Sequence, residues 1–225
     1  MTEDSLMDEV MELQNVPVWV VDDDDVRYSI QFALSTLGIQ CVTYSSGLDF
    51  LKEVNLQNPG CLIMDTHMND ISGKEVFEKL RLADSPIKVI FFSGEGTTAD
   101  AVEAMENGAI SYLMKPIYPD ELVNKIQVAR TKTLEALEHC QARLLLKNLS
   151  PREVQIFPLI CEGRTSEEIA EMLYLSRRTV EVHRLNISRK FEKRAPASIL
   201  YKLCKDRLPE NILHPRPRRG MAQDS

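Results

Sequence analysis

The feature that most constrains the fold is a regular alternation of short apolar runs with segments of helical periodicity in the first 130 residues. The apolar runs are 16–21, 39–44, 61–64, 87–92 and 109–114, and the segments of helical periodicity are 26–37, 47–54, 73–82, 97–107 and the stretch from 119 onward. Short apolar runs bounded by turn-forming residues indicate strands that are buried on both faces. Their alternation with helices predicts an α/β unit with a parallel sheet.

Polar residues follow several of these runs directly. Four consecutive aspartates at 22–25 follow the first run, Asp65 the third, Ser93 the fourth and Lys115 the fifth. Ligands of open parallel sheets bind at the carboxyl ends of the strands. Adjacent carboxylates repel each other unless a cation holds them, and Mg²⁺ does so with one or two carboxylates plus phosphate oxygens. The sequence therefore predicts phosphoryl transfer to Asp65, with the charge shared by the metal, Lys115 and the Ser93 hydroxyl.

Each of these residues, taken singly, also fits a structural role. The aspartate run is typical of a solvated turn that caps a helix, Asp65 fits a turn cap, and Lys115 fits a surface lysine. Their joint position at four strand ends favours the phosphoryl site over these separate roles.

Net charge differs between the two halves of the chain. Residues 1–130 hold 9 Lys+Arg against 22 Asp+Glu, net −13, and residues 131–225 hold 18 against 12, net +6. A basic second half predicts attraction to nucleic acid. No apolar run approaches the roughly 18 residues that span a bilayer, and the acidic start lacks the basic region of a secretory signal, so we expect a cytoplasmic protein without a membrane partner.

A single long helix is predicted to connect the two halves. Apolar residues recur at steps of three and four from Leu122 to Leu144, with no Gly or Pro before Pro151, which indicates a helix of about 28 residues. The spacing fits the seam of a dimeric coiled coil. It fits equally well a helix whose first half packs on one domain and whose second half packs on the next.

The first 130 residues resemble a known family, the receivers of two-component response regulators. The matching segments, over about residues 16–130, are VWVVDDDD, CLIMDTHM with SGKEV behind it, VIFFSGEG, AMENGA and YLMKPI. The resemblance implies a flavodoxin-like, doubly wound sheet of five parallel strands in the order 2-1-3-4-5. The long helix then joins this receiver to a second, all-α domain.

The resemblance also implies roles for individual residues. It implies that Asp65 is the phosphoacceptor. It implies that Mg²⁺ or Mn²⁺ is bound by Asp22, Asp23, Asp65 and the backbone carbonyl of His67. It also implies phosphoryl contact or a switching role for Ser93, Lys115 and Tyr112. Relatives usually carry one more residue before the Val26–Arg27 pair. Whether Asp22 and Asp23 or Asp23 and Asp24 form the working acidic pair is therefore open.

Three short helices are predicted in the second domain. In LSPREV, Ser150 can cap a helix, Pro151 suits its first position and Glu153 completes a capping box; Ser166 is predicted to cap the next helix. Three helices with a tight turn between the last two form a helix-turn-helix. Through LSPREV, TSEEIA, LSRRTVEVH and ISRKF, residues 148–208 resemble the LuxR-type DNA-binding domain. Tyr174 and Glu192 stand where this family usually has glycine, so both turns must form without it.

The third helix of this domain is predicted to read DNA. At about 100° per residue, Val180, Ile187 and Phe191 share one stripe, which we expect to be buried. The predicted DNA-binding residues are Arg178, Thr179, Glu181, Val182, Leu185, Asn186, Arg189 and Lys190. Val182 and Leu185 suit thymine methyl groups, and the basic and amide side chains suit base edges or phosphates.

A receiver followed by a LuxR-type domain is typical of the NarL/FixJ subfamily. This resemblance implies a transcriptional regulator that is phosphorylated by a sensor histidine kinase, dimerises on phosphorylation and binds promoter DNA and RNA polymerase. It implies no enzymatic activity beyond slow self-dephosphorylation. The predicted segments are an acidic tail (1–15), the receiver (16–130), a helical linker (131–147), the DNA-binding domain (148–208) and a disordered basic tail (209–225).

Two other functions fit parts of the pattern. The acidic cluster could be degenerate in a constitutive DNA-binding protein, or Asp65 could be the nucleophile of a Mg²⁺-dependent phosphohydrolase. The second is disfavoured, because only His67 stands two residues beyond Asp65, where a general acid is needed. For the regulator, the opposite charges of the halves suggest that the acidic receiver masks the basic helix until phosphorylation.

Overall fold

The computed structural model describes residues 13–116, 118–191 and 201. The chain divides after Leu137 into two compact units. Within the described residues, no helix has the length and apolar character needed to cross a membrane.

The first unit is a parallel sheet with helices. Its strands are β1 (Val18–Val21), β2 (Val42–Tyr44), β3 (Cys61–Met64), β4 (Lys88–Ser93) and β5 (Ser111–Met114), and its helices are α1 (Asp24–Thr36), α2 (Gly47–Glu53), α3 (Gly73–Leu82), α4 (Thr98–Glu106) and α5 (Pro119–Lys147). All neighbouring strands are parallel, in the order β2-β1-β3-β4-β5. The predicted fold and strand order are confirmed.

Alternate side chains of the sheet build two separate cores. Val20 and Ile63 belong to a core shared with α1 and the first half of α5. Trp19 and Leu62 belong to a core shared with α2, α3 and α4. Because successive side chains of a strand point to opposite faces, both faces of the sheet are covered, which explains the continuous apolar character of its strands.

Strands β1, β2 and β5 are shorter than the apolar runs that predicted them, and β4 begins one residue after the start of its run. Val16, Ile39 and Ile87 are buried, yet each precedes the strand that its run contains. An apolar run reports the burial of side chains, whereas a strand requires paired backbone groups, so the two differ at their ends.

Helix α5 is confirmed at 29 residues. Most of its predicted stripe is buried by this chain itself, but Leu144, at its end, is 55% exposed. Ile126 lies in a core of the first unit, and Leu146 in the core of the second. Thr133, inside the predicted linker, is buried; its hydroxyl donates to the Pro86 carbonyl oxygen (2.7 Å) and accepts from the Gly60 backbone N–H (2.9 Å). These contacts favour a helix whose halves serve different domains.

The second unit contains α6 (Pro151–Cys161), α7 (Ser166–Leu173) and α8 (Arg177–Phe191). The predicted capping box of Ser150 and Glu153 is present at α6. The prediction of Ser166 as the cap of α7 is wrong by one residue, because Thr165 has the extended backbone of a cap and forms a capping box with Glu168.

The sequence predicted two turns in the second unit, at Tyr174 and Glu192, that form without the glycine usual in the family. Tyr174 ends α7 in the left-handed conformation (φ 56°, ψ 48°), so this turn keeps a glycine-like backbone with an aromatic residue. Glu192 lies outside the described residues.

Candidate functional site

The ends of four strands bring acidic, hydroxyl and basic side chains to one edge of the sheet. Asp22 follows β1, Asp65 follows β3, Ser93 ends β4 and Lys115 follows β5. The Lys115 ammonium lies 2.9 Å from Asp22 Oδ1 and 2.7 Å from Asp65 Oδ2. One lysine therefore bridges the two carboxylates that the sequence analysis predicted to be neighbours.

The two carboxylates differ in burial and in proton affinity. Asp22 is only 3% exposed, and burial raises its pKa despite the hydrogen bond from Lys115. Asp65 is less buried; burial acts to raise its pKa, but the hydrogen bonds from Lys115 and from the His67 backbone N–H (3.1 Å) outweigh burial and lower it. Of the two carboxylates, Asp65 therefore holds a proton less strongly.

The structure separates the aspartates of the 22–25 run. Asp22 Oδ1 accepts a hydrogen bond from the Asp23 backbone N–H (2.8 Å). Asp23 is exposed at the start of α1, and its side chain caps no backbone group there. Asp24 instead pairs with Arg27 on the surface of α1. Asp22 is thus the aspartate of this run that shares Lys115 with Asp65.

The acidic edge of the sheet offers carboxylate oxygen atoms to a metal ion, and its site is a candidate for Mg²⁺. Asp22 Oδ2 is buried and accepts no hydrogen bond from any described residue, although the Lys115 ammonium lies 2.8 Å from it. Such a carboxylate oxygen suits Mg²⁺, which needs only one or two carboxylates. No group of three or more His, Cys, Asp or Glu side chains in the described chain forms a metal cluster. Ligation would therefore rest on Asp22, Asp65 and exposed groups such as Asp23 and the His67 carbonyl.

A further hydroxyl in the site was missed by the sequence analysis. Thr66 is buried, and its Oγ1 lies 2.7 Å from Ser93 Oγ and 3.3 Å from Asp65 Oδ1. It also lies 3.0 Å from His67 Nδ1. Ser93 is thus held by Thr66 in this structure. The only signal in the sequence is a hydroxyl residue directly after Asp65.

Tyr112 packs inward behind the loop that follows β4. Its ring centroid lies 5.9 Å from that of Phe91, and its hydroxyl is buried without a hydrogen-bond partner among the described residues. A Cβ atom at Gly96 would collide with this hydroxyl. Gly96, which sequence reasoning did not select as functional, therefore permits the inward position of Tyr112.

Helix α8 has the two faces that its periodicity predicts. Val180 and Ile187 are buried, and the Phe191 ring packs at 4.8 Å against Phe157. Val182 and Leu185 are each about half exposed, at 52% and 51%. Exposed apolar side chains on a helix with a separate buried face are suited to contact a partner.

The polar residues predicted to bind DNA have different environments. Arg178 and Arg189 are exposed, and Asn186 is half-buried. The Glu181 carboxylate accepts a hydrogen bond from Arg177 Nε (2.7 Å), and the Thr179 hydroxyl lies 2.7 Å from that of Ser176. Glu181 and Thr179 are therefore already hydrogen-bonded to neighbouring residues at the start of α8.

Lys190 departs most from its predicted role as a phosphate contact. Its ammonium donates to the Asn148 carbonyl oxygen (2.9 Å) and to Glu153 Oε2 (2.6 Å). The Glu153 side chain is only 3% exposed. Lys190 thus compensates a buried carboxylate within the unit.

Comparison with known proteins supports both units independently. Residues 18–127 match the family described as response regulator receiver domain, and residues 147–196 match bacterial regulatory proteins of the luxR family. Neither description is that of an enzyme.

Curated relatives match this chain across both of its units. The tetrathionate response regulatory protein TtrR of Salmonella typhimurium is 31% identical over 189 residues, which cover 84% of this chain and 92% of TtrR. The transcriptional regulatory protein FixJ of Azorhizobium caulinodans is 33% identical over 184 residues, which cover 80% of this chain and 87% of FixJ.

The solved structure of the response regulator StyR is also similar. It is 31% identical, covers 84% of this chain and 98% of StyR, and superposes with a TM-score of 0.59. With a receiver, a LuxR-type domain and relatives that contain both, the chain belongs to the two-component response regulators of the NarL/FixJ subfamily, which are DNA-binding transcriptional regulators.

Proposed function

We propose that Asp65 accepts a phosphoryl group from a sensor histidine kinase and that this modification controls DNA binding by α8. The observation that carries the proposal is the bridge from the Lys115 ammonium to Asp22 and Asp65. It places a fixed positive charge at the carboxylate that would gain the charge of a phosphoryl group.

The side chains of the site suggest how they act. The lowered pKa favours the ionised form of Asp65, so that a carboxylate oxygen can form the new P–O bond while the P–N bond to the kinase histidine breaks and the imidazole leaves. Lys115 balances part of the incoming negative charge. Ser93 is bonded to Thr66, so its hydroxyl must change partners to reach the phosphoryl group.

Mg²⁺ or Mn²⁺ would be held by Asp22, Asp23, Asp65 and the His67 carbonyl, where it would neutralise charge on the phosphoryl oxygens. Support for this metal comes from the buried Asp22 Oδ2, which accepts no hydrogen bond from a described residue although the Lys115 ammonium lies 2.8 Å away.

Movement of Ser93 toward the phosphoryl group would shift the loop that carries Gly96, against which Tyr112 packs. We connect this shift to formation of a homodimer, in which two α8 helices read a two-fold operator. Promoter-bound dimers would then contact RNA polymerase. The protein would act in the cytoplasm, and its catalysis would be limited to slow hydrolysis of its own acyl phosphate.

The first experiment is phosphorylation by acetyl phosphate with Mg²⁺, followed by intact-protein mass spectrometry. We expect one added phosphoryl group, none after chelation of the metal and none in Asp65→Asn. Asp24→Asn is the matched control, because Asp24 is an exposed carboxylate that pairs with Arg27 instead of Lys115. Incorporation that persists in Asp65→Asn would show that another residue is the acceptor.

A further inference from the structure

A polar cavity of about 600 Å³ lies at the opposite edge of the receiver sheet from Asp65. It is lined by residues that precede β1 and β2, including Pro17 and Ile39, and by the face of α5 that carries Gln127 and Arg130. None of the described residues that line it is Asp or Glu. A cavity of this volume is large enough for a small organic molecule.

Arg130 brings to this cavity a charge that no carboxylate among the described residues compensates. It is only 5% exposed, and its buried Nε makes no hydrogen bond with a described residue. Burial lowers its pKa, opposed only by the thiol of Cys61 and by no carboxylate. A buried charge without a partner is strongly unfavourable, so buried cations in proteins are normally paired.

The remaining polar lining consists of side-chain amides. Gln14, Asn15, Gln40 and Gln127 all border the cavity, and each amide can donate hydrogen bonds. A guanidinium group binds a carboxylate or a phosphate through parallel hydrogen bonds, and neighbouring amides can satisfy the other oxygens.

We propose that this cavity binds a small oxyanion, a carboxylate or a phosphate compound, which pairs with Arg130. Such a site would couple the stability of the receiver to a dissolved anion, by a route separate from Asp65. It is independent of whether Asp65 is phosphorylated.

The test uses the full chain and its single tryptophan. Trp19 is buried in β1, so its fluorescence reports the unfolding of the receiver unit. Inorganic phosphate and malonate are titrated separately, each against chloride at matched ionic strength. A ligand of the folded state should raise the unfolding midpoint in a saturable manner, by at least about 2 °C. If just one of the two anions raises the unfolding midpoint, that anion identifies the site as one for phosphates or as one for carboxylates.

Arg130→Met should abolish the rise, while unfolding at least as hot as the wild type in chloride, because the substitution removes an unpaired buried charge. Lys125→Met is the matched control, since Lys125 is a cation on α5 that does not line the cavity; it should keep the rise. Arg130→Lys retains the charge without the planar fork and should bind several-fold more weakly.

Three results would overturn the proposal. One is an equal rise in Arg130→Met and the wild type, which would place the anion elsewhere, and another is no rise in either chain. The third is a rise that appears only after deletion of residues 2–12. Because that segment contains five acidic residues, this result would show that it, and not a free anion, provides the partner of Arg130.

Discussion

At the scale of single residues, the hydrogen bond between Thr66 and Ser93 bears on the proposed function. In the proposed function, an incoming phosphoryl group would compete with Thr66 for the Ser93 hydroxyl, which lies 2.7 Å from Thr66 Oγ1 in this structure. Exchange of one hydrogen bond for another changes the net free energy by only about 1 kcal/mol. The partner of Ser93 can therefore change without loss of the fold around Asp65.

Tyr112 offers a test of the inward position of its ring. Because its buried hydroxyl has no partner among the described residues, Tyr112→Phe should raise the free energy of unfolding of the receiver by about 1 kcal/mol. Urea denaturation followed by Trp19 fluorescence measures the change. Tyr118→Phe, whose side chain is 82% exposed, should have no effect. A loss of stability in Tyr112→Phe would mean that the hydroxyl is bonded.

Tyr174 is expected to lower the stability of the DNA-binding unit. A left-handed backbone costs about 1 kcal/mol for a residue with a Cβ atom, and this side chain is 88% exposed, so its contacts contribute little. Tyr174→Gly should raise the free energy of unfolding by about 0.5–1 kcal/mol, whereas Tyr174→Ala should not. Circular dichroism measures the change, and the Trp19 transition should stay unchanged as an internal reference, since Trp19 lies in the other unit.

At the scale of elements, α8 combines a buried and an exposed surface on fifteen residues. Two consecutive basic residues near its end illustrate the division. Arg189 is exposed, whereas Lys190 is bonded to Asn148 and Glu153. Although the two residues are adjacent and carry the same charge, their different environments predict different consequences of substitution.

Arg189→Gln should weaken DNA binding and reduce the slope of log affinity against log salt by about 0.9, the value for one lost phosphate contact. Lys190→Gln should leave that slope unchanged and instead lower the free energy of unfolding, because it leaves the buried Glu153 carboxylate without its cation. The loss should be only about 1–2 kcal/mol, because water around the partly exposed Lys190 screens the pair. Fluorescence anisotropy at several salt concentrations and denaturation by circular dichroism give the two quantities. A reduced slope in Lys190→Gln would restore this lysine to the DNA surface.

The contact between α6 and α8 also predicts a dependence on pH. Burial acts to raise the pKa of Glu153, but the hydrogen bonds from Lys190 and Ser150 outweigh burial and hold it below the ordinary value of 4.5. Its ionised form therefore stabilises the fold fully above pH 4.5, and this contribution is lost as pH falls through the lower folded value.

Glu153→Gln should accordingly be less stable than the wild type at neutral pH, and the difference should shrink below about pH 4.5. Circular dichroism denaturation at a series of pH values tests this. Glu171→Gln, an exposed position after the start of α7, should show a constant difference. A constant difference for Glu153→Gln as well would mean that the ion pair does not stabilise the unit.

At the scale of the whole molecule, the opposite net charges of the two halves support an electrostatic role for the receiver. If the acidic half masks the basic one until phosphorylation, Asp65→Asn should bind promoter DNA more weakly than the phosphorylated protein at matched salt. Higher salt should reduce the difference, because ions screen the attraction between the halves. Equal affinity of the two forms at low salt would contradict masking.

Much of this molecule was predictable from local sequence. Alternating apolar runs and helical periods indicated the α/β unit, and the long uninterrupted period indicated α5. The residues after the strands indicated the edge at which Asp65, Ser93 and Lys115 meet. Burial and periodicity are properties of neighbouring residues, so they are legible in the chain itself. The strand order came from the resemblance to receivers, since parallel pairing joins segments that are distant in sequence.

Only the tertiary structure decided how particular side chains pair. It placed Asp22 at Lys115 and turned Asp24 toward Arg27, and it bonded Lys190 to Glu153. It also left Arg130 buried without a partner among the described residues. Such choices depend on distances of a few ångströms between residues far apart in the chain. The sequence by itself therefore determined which chemical groups reach each edge of the sheet, and the packing of the folded chain decided which of them are bonded and which remain available to a ligand.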